Sequence, residues 1–259
     1  MSELISRDLH ISDHLKKYAK PETDEEFGYY LAGLFEGDGY FGDHRFEIAF
    51  HKDETFLAYY IKKQIGYGSV LNLEGKNSVR SVLRDSEGLK RVLTLVNGKF
   101  LTNYKINQLL KHGYDSKFGV TIFPSTKFDL YSNHWLTGFS EADGSFVITL
   151  TKSNTHKLGY NLRLEFKIKQ KNSDLLKVIK EYLGGNISYL NTEQLFYYNS
   201  TSFKSAKNLI DYFDQYPLNS SKLVKYLKWR KTYRMVQRNE HLTQDGLGKI
   251  RKLQGNLRD

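Results

Sequence analysis

Apolar and polar residues follow one another along this chain in two series of segments with the same order. Each series opens with an apolar pattern at helical spacing that ends in two acids and a glycine, "LAGLFEGDGYF" at 31–41 and "WLTGFSEADGSF" at 135–146. A strand with one apolar face comes next, "RFEIAF" at 45–50 and "RLEFKI" at 163–168. The alternation within these strands predicts sheets that are buried on one face.

The rest of each series also repeats. Amphipathic helices are predicted over about 53–65 and 173–183, and each is followed by a glycine, as helix C-termini often are. Two further strands are predicted around 68–84 and 186–200. One more amphipathic helix follows in each half before the last helix begins.

The last helices begin near Lys105 and Lys222, and an extra helix is predicted from Thr243. Each half is therefore predicted to run α-β-β-α-β-β-α. The predicted fold class is α+β, with two pseudo-symmetric repeats.

The two opening motifs agree at six positions with a constant shift of 105 residues, which indicates an internal repeat. The identical pairs are Leu31 and Leu136, Gly33 and Gly138, Glu36 and Glu141, Asp38 and Asp143, Gly39 and Gly144, and Phe41 and Phe146. We expect an N-terminal extension, a first repeat, a linker, and a second repeat with the added C-terminal helix, over 1–26, 27–111, 112–132 and 133–259.

Small residues in both motifs predict that the two helices pack closely against each other. These residues are Ala32, Gly33, Thr137 and Gly138. Helices that run side by side would bring Asp38 and Asp143 together at one end. Two such carboxylates repel each other unless a cation lies between them, and oxygen ligands suit hard divalent ions such as Mg²⁺. The carbonyl groups of Gly37 and Ala142 are further candidate ligands.

Composition narrows the possible partners. The chain of 259 residues has a net charge of +10, which favours a polyanion, either nucleic acid or an anionic membrane surface. It has no cysteine, which excludes disulfide scaffolds, thiolate zinc sites and cysteine nucleophiles. No apolar run approaches the ~20 residues that span a bilayer. The first twenty residues lack the apolar core of a signal peptide and contain acids that a transit peptide avoids, so we expect a soluble protein.

The doubled motif resembles the signature of LAGLIDADG homing endonucleases in their single-chain, two-repeat form. The resemblance covers roughly 27–257, and "EHLTQDGLGKIRKLQGNL" resembles the C-terminal segment of a fungal mitochondrial branch encoded in group I introns. It implies a monomeric, metal-dependent DNA endonuclease with paired motif helices and saddle-shaped antiparallel sheets for DNA. It also implies a mitochondrial location.

The resemblance implies roles for individual residues. Asp38 and Asp143 would bind the metals, with Glu36 and Glu141 in support. Lys105 and Lys222 would lie near the two centres, and Gln170 would touch the active-site water; whether Lys52 or His51 is its counterpart in the first half stays open. The expected cofactor is Mg²⁺, with Mn²⁺ as a substitute and Ca²⁺ binding without cleavage. The expected product is a double-strand break with short 3′ overhangs, made across the minor groove.

The outer faces of the two sheets are the predicted DNA-reading surfaces. An antiparallel ribbon fits the major groove, where arginine and lysine read guanine, and phosphate contacts would make the affinity fall with salt. If the apolar residues of "RLEFKI" face the helices, their neighbours face outward. The predicted DNA-binding residues are Arg45, Lys52, Arg80 and Arg84 in the first half, and Arg163, Glu165, Lys167 and Lys169 in the second.

The two halves differ in one respect. Seven residues separate Asp38 from Phe46, whereas twenty separate Asp143 from Leu164. The first half therefore lacks most of its first hairpin. We expect fewer DNA contacts on that side, or contacts from the N-terminal extension, and an asymmetric target.

Two alternative functions share this fold. An RNA maturase would bind its host intron RNA, but it needs neither metal acid. A non-catalytic DNA-binding module predicts the loss of at least one of the two aspartates, and both are present. A membrane-surface protein is disfavoured because no helix combines a lysine-rich face with an aromatic one.

Overall fold

The computed structural model describes residues 9–15 and 19–255, which form two compact units. The N-terminal unit contains residues 19–143 together with the short segment 218–221. The C-terminal unit contains the other described residues. Parts of the expected N-terminal extension and the end of the second repeat lie outside the described residues. The predicted repeat boundaries stay a prediction.

The N-terminal unit contains one sheet and the helices around it. Its elements are α1 (Asp24–Asp38), β1 (Gly39–Gly42), β2 (Arg45–His51), α2 (Thr55–Ile65), β3 (Ser69–Asn72), β4 (Ser78–Leu83), α3 (Ser86–Val96), α4 (Asn103–Lys111), α5 (Tyr114–Phe118) and α6 (Trp135–Asp143). The strands are antiparallel in the order β1-β2-β4-β3. A single 3₁₀ turn, Lys52–Glu54, leads into α2.

The C-terminal unit repeats this topology. Its elements are β5 (Ser145–Lys152), β6 (Tyr160–Gln170), α7 (Asp174–Leu183), β7 (Asn186–Leu190), β8 (Leu195–Ser200), α8 (Phe203–Gln215), α9 (Lys222–Gln237) and α10 (Gln244–Gly255). The antiparallel order is β5-β6-β8-β7. The predicted α+β repeat is confirmed, and α10 is the expected extra helix.

Sequence patterning accounts for both sheets. The alternating apolar residues of β2, which include Phe46 and Ile48, are buried, and so are Leu164, Phe166 and Ile168 of β6. Such alternation places one face of a strand on the core. No described helix is long and apolar enough to cross a membrane.

The first hairpin is as short as its sequence predicts. β1 has four residues and β5 has eight, and β1 turns into β2 through Asp43 and His44 alone. The predicted linker closes this hairpin, because the buried Tyr114 hydroxyl donates to the Gly42 carbonyl at 2.8 Å and accepts from the Arg45 amide at 3.0 Å. Its ring stacks on Phe46 with the centroids 5.2 Å apart.

Described residues of the N-terminal extension pack on α9 within the C-terminal unit. Ile11 is buried, and its amide donates to Gln237 Oε1 at 2.9 Å. The Tyr233 hydroxyl donates to the Leu9 carbonyl at 2.7 Å, and Asp13 forms an ion pair with Arg234 at 2.9 Å. This part of the extension therefore belongs to a packed unit. Its predicted contacts with DNA stay a prediction.

Candidate active site

The two motif helices, α1 and α6, both lie in the N-terminal unit and contact each other through glycine. A Cβ added to Gly33 would come closer than 3.0 Å to the carbonyl oxygen of Trp135, and one added to Gly138 would come equally close to that of Tyr30. Ala32 and Thr137 next to them are fully buried. The backbones therefore approach so closely that a larger side chain at either glycine would push the helices apart.

The contact continues to the acidic ends of the helices. A Cβ on Gly37 would meet the Ala142 Cβ and lie 2.8 Å from Asp143 Oδ2. The Asp143 carboxylate thus lies against the residue before Asp38. The predicted metal-binding residues are brought together at one end of the helix pair.

Lys105 in α4 is a buried cation close to these acids. It is 5% exposed, and its Nζ donates to the Gly39 carbonyl. Burial lowers the pKa of Lys105 to about 8, and the charges of Glu36, Asp38 and Asp143 oppose this lowering. The side chain therefore remains positively charged at neutral pH. A fixed positive charge beside two carboxylates can also stabilise charge that develops on a phosphate.

Glu36 holds the N-terminus of α4. Its carboxylate accepts from the Leu101 amide at 3.0 Å and from the Thr102 amide and hydroxyl at 2.8 and 2.7 Å. Burial raises the pKa of Glu36 to about 7, although these hydrogen bonds favour the charged form. Amide groups at a helix N-terminus lack partners within the helix and attract an anion. Glu36 thereby fixes the helix that carries Lys105.

Glu141 has the same role in the second motif. Its carboxylate accepts from the amides of Asn219 and Ser220, the latter at 3.1 Å. These residues belong to the segment 218–221, which directly precedes α9. The next amide, that of Ser221, donates to the Glu54 carboxylate at 3.1–3.2 Å, and the Ser221 hydroxyl donates to it as well. Sequence reasoning missed Glu54, because nothing in the spacing of this single acid indicates the contact.

Two of the expected catalytic residues lie in the C-terminal unit. Lys222 is the first residue of α9, and Gln170 is the last residue of β6. Both are half-buried. The cluster described above therefore consists of residues from the N-terminal unit alone.

The outer face of the first sheet carries a network of charged residues. Arg45 and Arg80 each lie 3.3 Å from the Glu47 carboxylate, whose side chain is only 12% exposed. Lys52 and Arg84, at the ends of β2 and β4, are exposed. The basic residues predicted to contact DNA thus occur on this sheet and at its edge, two of them oriented by one glutamate.

The outer face of the second sheet carries a similar network of charged and polar residues. Arg163 is exposed, and Lys169 pairs with Glu193 at 2.6 Å. Glu165 lies on the face opposite the buried Leu164 and Phe166, as predicted, but its neighbours on that face leave it only 7% exposed. Its carboxylate accepts from Thr149 at 2.6 Å and from Asn199 at 3.2 Å, and Lys167 lies 3.2 Å away. Although burial opposes it, this bonding holds the pKa of Glu165 below its usual value.

The ends of the two motifs offer oxygen donors for the expected divalent ion. Within 9–15 and 19–255 no group of three or more acidic, histidine or cysteine side chains is placed to hold a metal. Two adjacent carboxylates fit a hard cation that completes its shell with carbonyl, water or phosphate oxygens. The residues present fit Mg²⁺ bound in that manner.

Known proteins resemble this chain across most of its length. A family model described as LAGLIDADG endonuclease matches residues 136–233. The chain is 46% identical over 248 residues to an uncharacterized cox1 intron-2 protein of Schizosaccharomyces pombe, covering 93% of this chain and 76% of the relative. It is 29% identical to probable intron-encoded endonuclease 4 of Neurospora crassa, covering 89% of this chain and 44% of that protein.

Solved structures share the fold. The structure of I-SmaMI bound to cleaved DNA matches with a TM-score of 0.70 and 23% identity, over 89% of this chain and 96% of that chain. That of I-AabMI bound to uncleaved DNA matches with a TM-score of 0.71 and 21% identity, over 90% and 99%. The family-model match over 136–233 and the 46% identity to the fission-yeast intron protein show that the chain belongs to the LAGLIDADG endonuclease family.

Proposed function

We propose that this protein is a site-specific DNA endonuclease that hydrolyses one phosphodiester in each strand of a long, asymmetric target, with Mg²⁺ as cofactor. Family membership supports the endonuclease class. The chain spans less than half of the Neurospora relative. The proposal therefore concerns the activity of the present chain and not that of the longer protein.

One observation carries the proposal. The glycine contact between α1 and α6 ends with the Asp143 carboxylate against Gly37, and both Asp38 and Asp143 act electrostatically on Lys105. Two nearby carboxylates raise each other's free energy unless a cation neutralises them. The carbonyl groups of Gly37 and Ala142 are candidates for the remaining protein ligands.

Each residue has a separate task in hydrolysis. A bound divalent ion lowers the pKa of a water molecule and stabilises the developing negative charge. Asp38 and Asp143 would hold such an ion, and Lys105 would supply a fixed positive charge near it. Lys222 would have the equivalent task at the second centre, where Gln170 would bind the attacking water. Because the two aspartates are close together, the scissile phosphates must face each other across the narrow minor groove.

Recognition would come from the outer sheet faces. The candidate contacts are Arg45, Lys52, Arg80 and Arg84 on the first sheet, and Arg163, Lys167 and Lys169 on the second. Glu165 orients Lys167 instead of reading a base itself. One chain supplies both motifs, which supports a monomer, and the intron-encoded relatives support a mitochondrial origin.

An in vitro cleavage selection on a large DNA library tests this proposal. We expect one site of about two helical turns to be enriched by the wild type with Mg²⁺ or Mn²⁺, and to be bound but not cut with Ca²⁺. The variant Asp38→Asn, Asp143→Asn should bind the site without cutting it. The variant Glu87→Gln, Glu181→Gln, at two exposed positions, serves as a control with the same loss of charge. Binding without cleavage by the wild type would contradict the catalytic roles of Asp38 and Asp143. Failure to bind any specific DNA would leave host intron RNA as the ligand to test.

A further inference from the structure

The segment 218–221 is held by two glutamates that come from different elements. Glu141, near the end of α6, accepts from the amides of Asn219 and Ser220. Glu54, in the 3₁₀ turn before α2, accepts from the Ser221 amide with both oxygens, at 3.2 and 3.1 Å, and also from its hydroxyl. Three successive amides directly before α9 are therefore fixed by carboxylates.

In the first half, the matching segment before α4 has no contact equivalent to that of Glu54 among the described residues. The two repeats align Ser221 with Tyr104, whose side chain is 66% exposed, and Glu54 with Asn172, which lies equally far before the glycine that ends its helix. Asn172 instead accepts from the amide of Asp174, the first residue of α7, at 2.8 Å. The double restraint is thus specific to the segment that precedes Lys222.

We infer that Glu54 is a positioning residue for one of the two strand cleavages. It acts through Ser221, which is joined by a peptide bond to Lys222, and it fixes the backbone from which that lysine extends. The inference rests on the proposed function, in which Lys222 serves one centre and Lys105 the other. Glu54 itself contacts neither metal nor DNA in this scheme.

The expected effect is large for one strand and small for the other. A displacement of a catalytic group by about 1 Å can slow a reaction by about 100-fold. Glu54→Gln retains the shape of the side chain and one acceptor oxygen, but it loses the charge that strengthens all three hydrogen bonds. We therefore expect a slowing of roughly 10- to 100-fold for the strand that depends on Lys222.

Single-turnover cleavage of the selected target, with each strand labelled separately, tests the inference. Lys222→Ala identifies the strand that depends on this lysine. Glu54→Gln should slow the same strand, leave the other unchanged and accumulate a nicked product. Combined with Lys222→Ala, it should cause no further slowing, which a general loss of folding would not reproduce. Glu87→Gln, the same change at an exposed residue of α3, is the matched control and should cut both strands at the wild-type rate.

The outcomes separate the inference from the function on which it rests. Equal slowing of both strands, or no slowing of either, would overturn the role of Glu54 while the endonuclease stands. Additional slowing in the Lys222→Ala background would also overturn it, because Glu54 would then act on something other than Lys222. A wild type that cleaves no DNA would refute the proposed function, and this inference with it.

Discussion

The ends of α1 and α6 leave room for one methyl group between them. The second motif supplies that methyl from Ala142, and Gly37 supplies none. Gly37→Ala should therefore place two methyl groups where the backbones allow one. Overpacking of this kind lowers the free energy of unfolding by about 1–3 kcal/mol. In a chain of this size each kcal/mol lowers Tm by about 2–4 °C.

A second substitution should restore stability. Ala142→Gly removes the opposing methyl, so the double variant again contains one methyl in the same gap. Alanine and glycine differ by about 1 kcal/mol in helix propensity, and the exchange between two helices nearly cancels this difference. We expect the double variant to unfold within about 1 kcal/mol of the wild type, and Ala142→Gly alone to be destabilised by about 1 kcal/mol.

Cleavage should not recover with stability. The methyl introduced at position 37 still lies 2.8 Å from the original position of Asp143 Oδ2, so this carboxylate must rotate away in the single and the double variant alike. A shift of that kind at a reacting centre should reduce cleavage by at least about tenfold. Urea denaturation and single-turnover cleavage with Mg²⁺ would measure the two effects separately. The reasoning is refuted if Gly37→Ala is as stable as the wild type, or if the double variant is no more stable than Gly37→Ala.

Three further substitutions test other contacts. Burial raises the pKa of Glu36 from 4.5 to about 7. Between these pH values the folded chain keeps a proton that the unfolded chain releases. The contribution of protonated Glu36 to stability is therefore complete below pH 4.5 and is lost as pH rises through 7. Urea titrations should show a loss of about 3 kcal/mol over this range, absent in Glu36→Gln. Tyr114→Phe should lower the free energy of unfolding by about 1 kcal/mol, whereas Tyr104→Phe, at an exposed position, should leave it unchanged. Glu47→Gln should loosen both arginines bound to it and relax base selectivity in a binding selection; an unchanged selectivity profile would contradict that role.

The repeated elements could be predicted from the sequence because each depends on a pattern of apolar residues within a short segment. Alternation in β2 and β6 and helical spacing in the motifs are periodic signals, and each recurs in the second half. The two glycine positions, Gly33 and Gly138, indicate a helix contact by their size alone. Most of the helices and strands could therefore be predicted from the periodic pattern of buried residues.

The contacts that complete the site are not periodic. Glu54 and Ser221 are 167 positions apart, and neither stands out in composition or spacing. The alternation with apolar neighbours places Glu165 on the outer face, but it does not show that Thr149 and Asn199 on the adjacent strands bond its carboxylate there. Such contacts depend on which strands and segments become neighbours after folding. The periodic pattern of apolar residues along the sequence does not show these neighbours.

The placement of acids at the ends of α1 and α6 follows from the elements around them. An anion at a helix C-terminus is disfavoured by about 0.3–1 kcal/mol, whereas a hydrogen bond to a charged group contributes about 1.5–3 kcal/mol. Glu36 receives three hydrogen bonds just before α4, which favour its charged form and offset part of the cost of burying it. Asp38, two residues later, instead interacts electrostatically with Lys105, and so does Asp143. Because the positive charge of Lys105 offsets part of their repulsion, the two aspartates can be held close before a divalent ion binds, and Glu36 maintains the helix that supplies that charge.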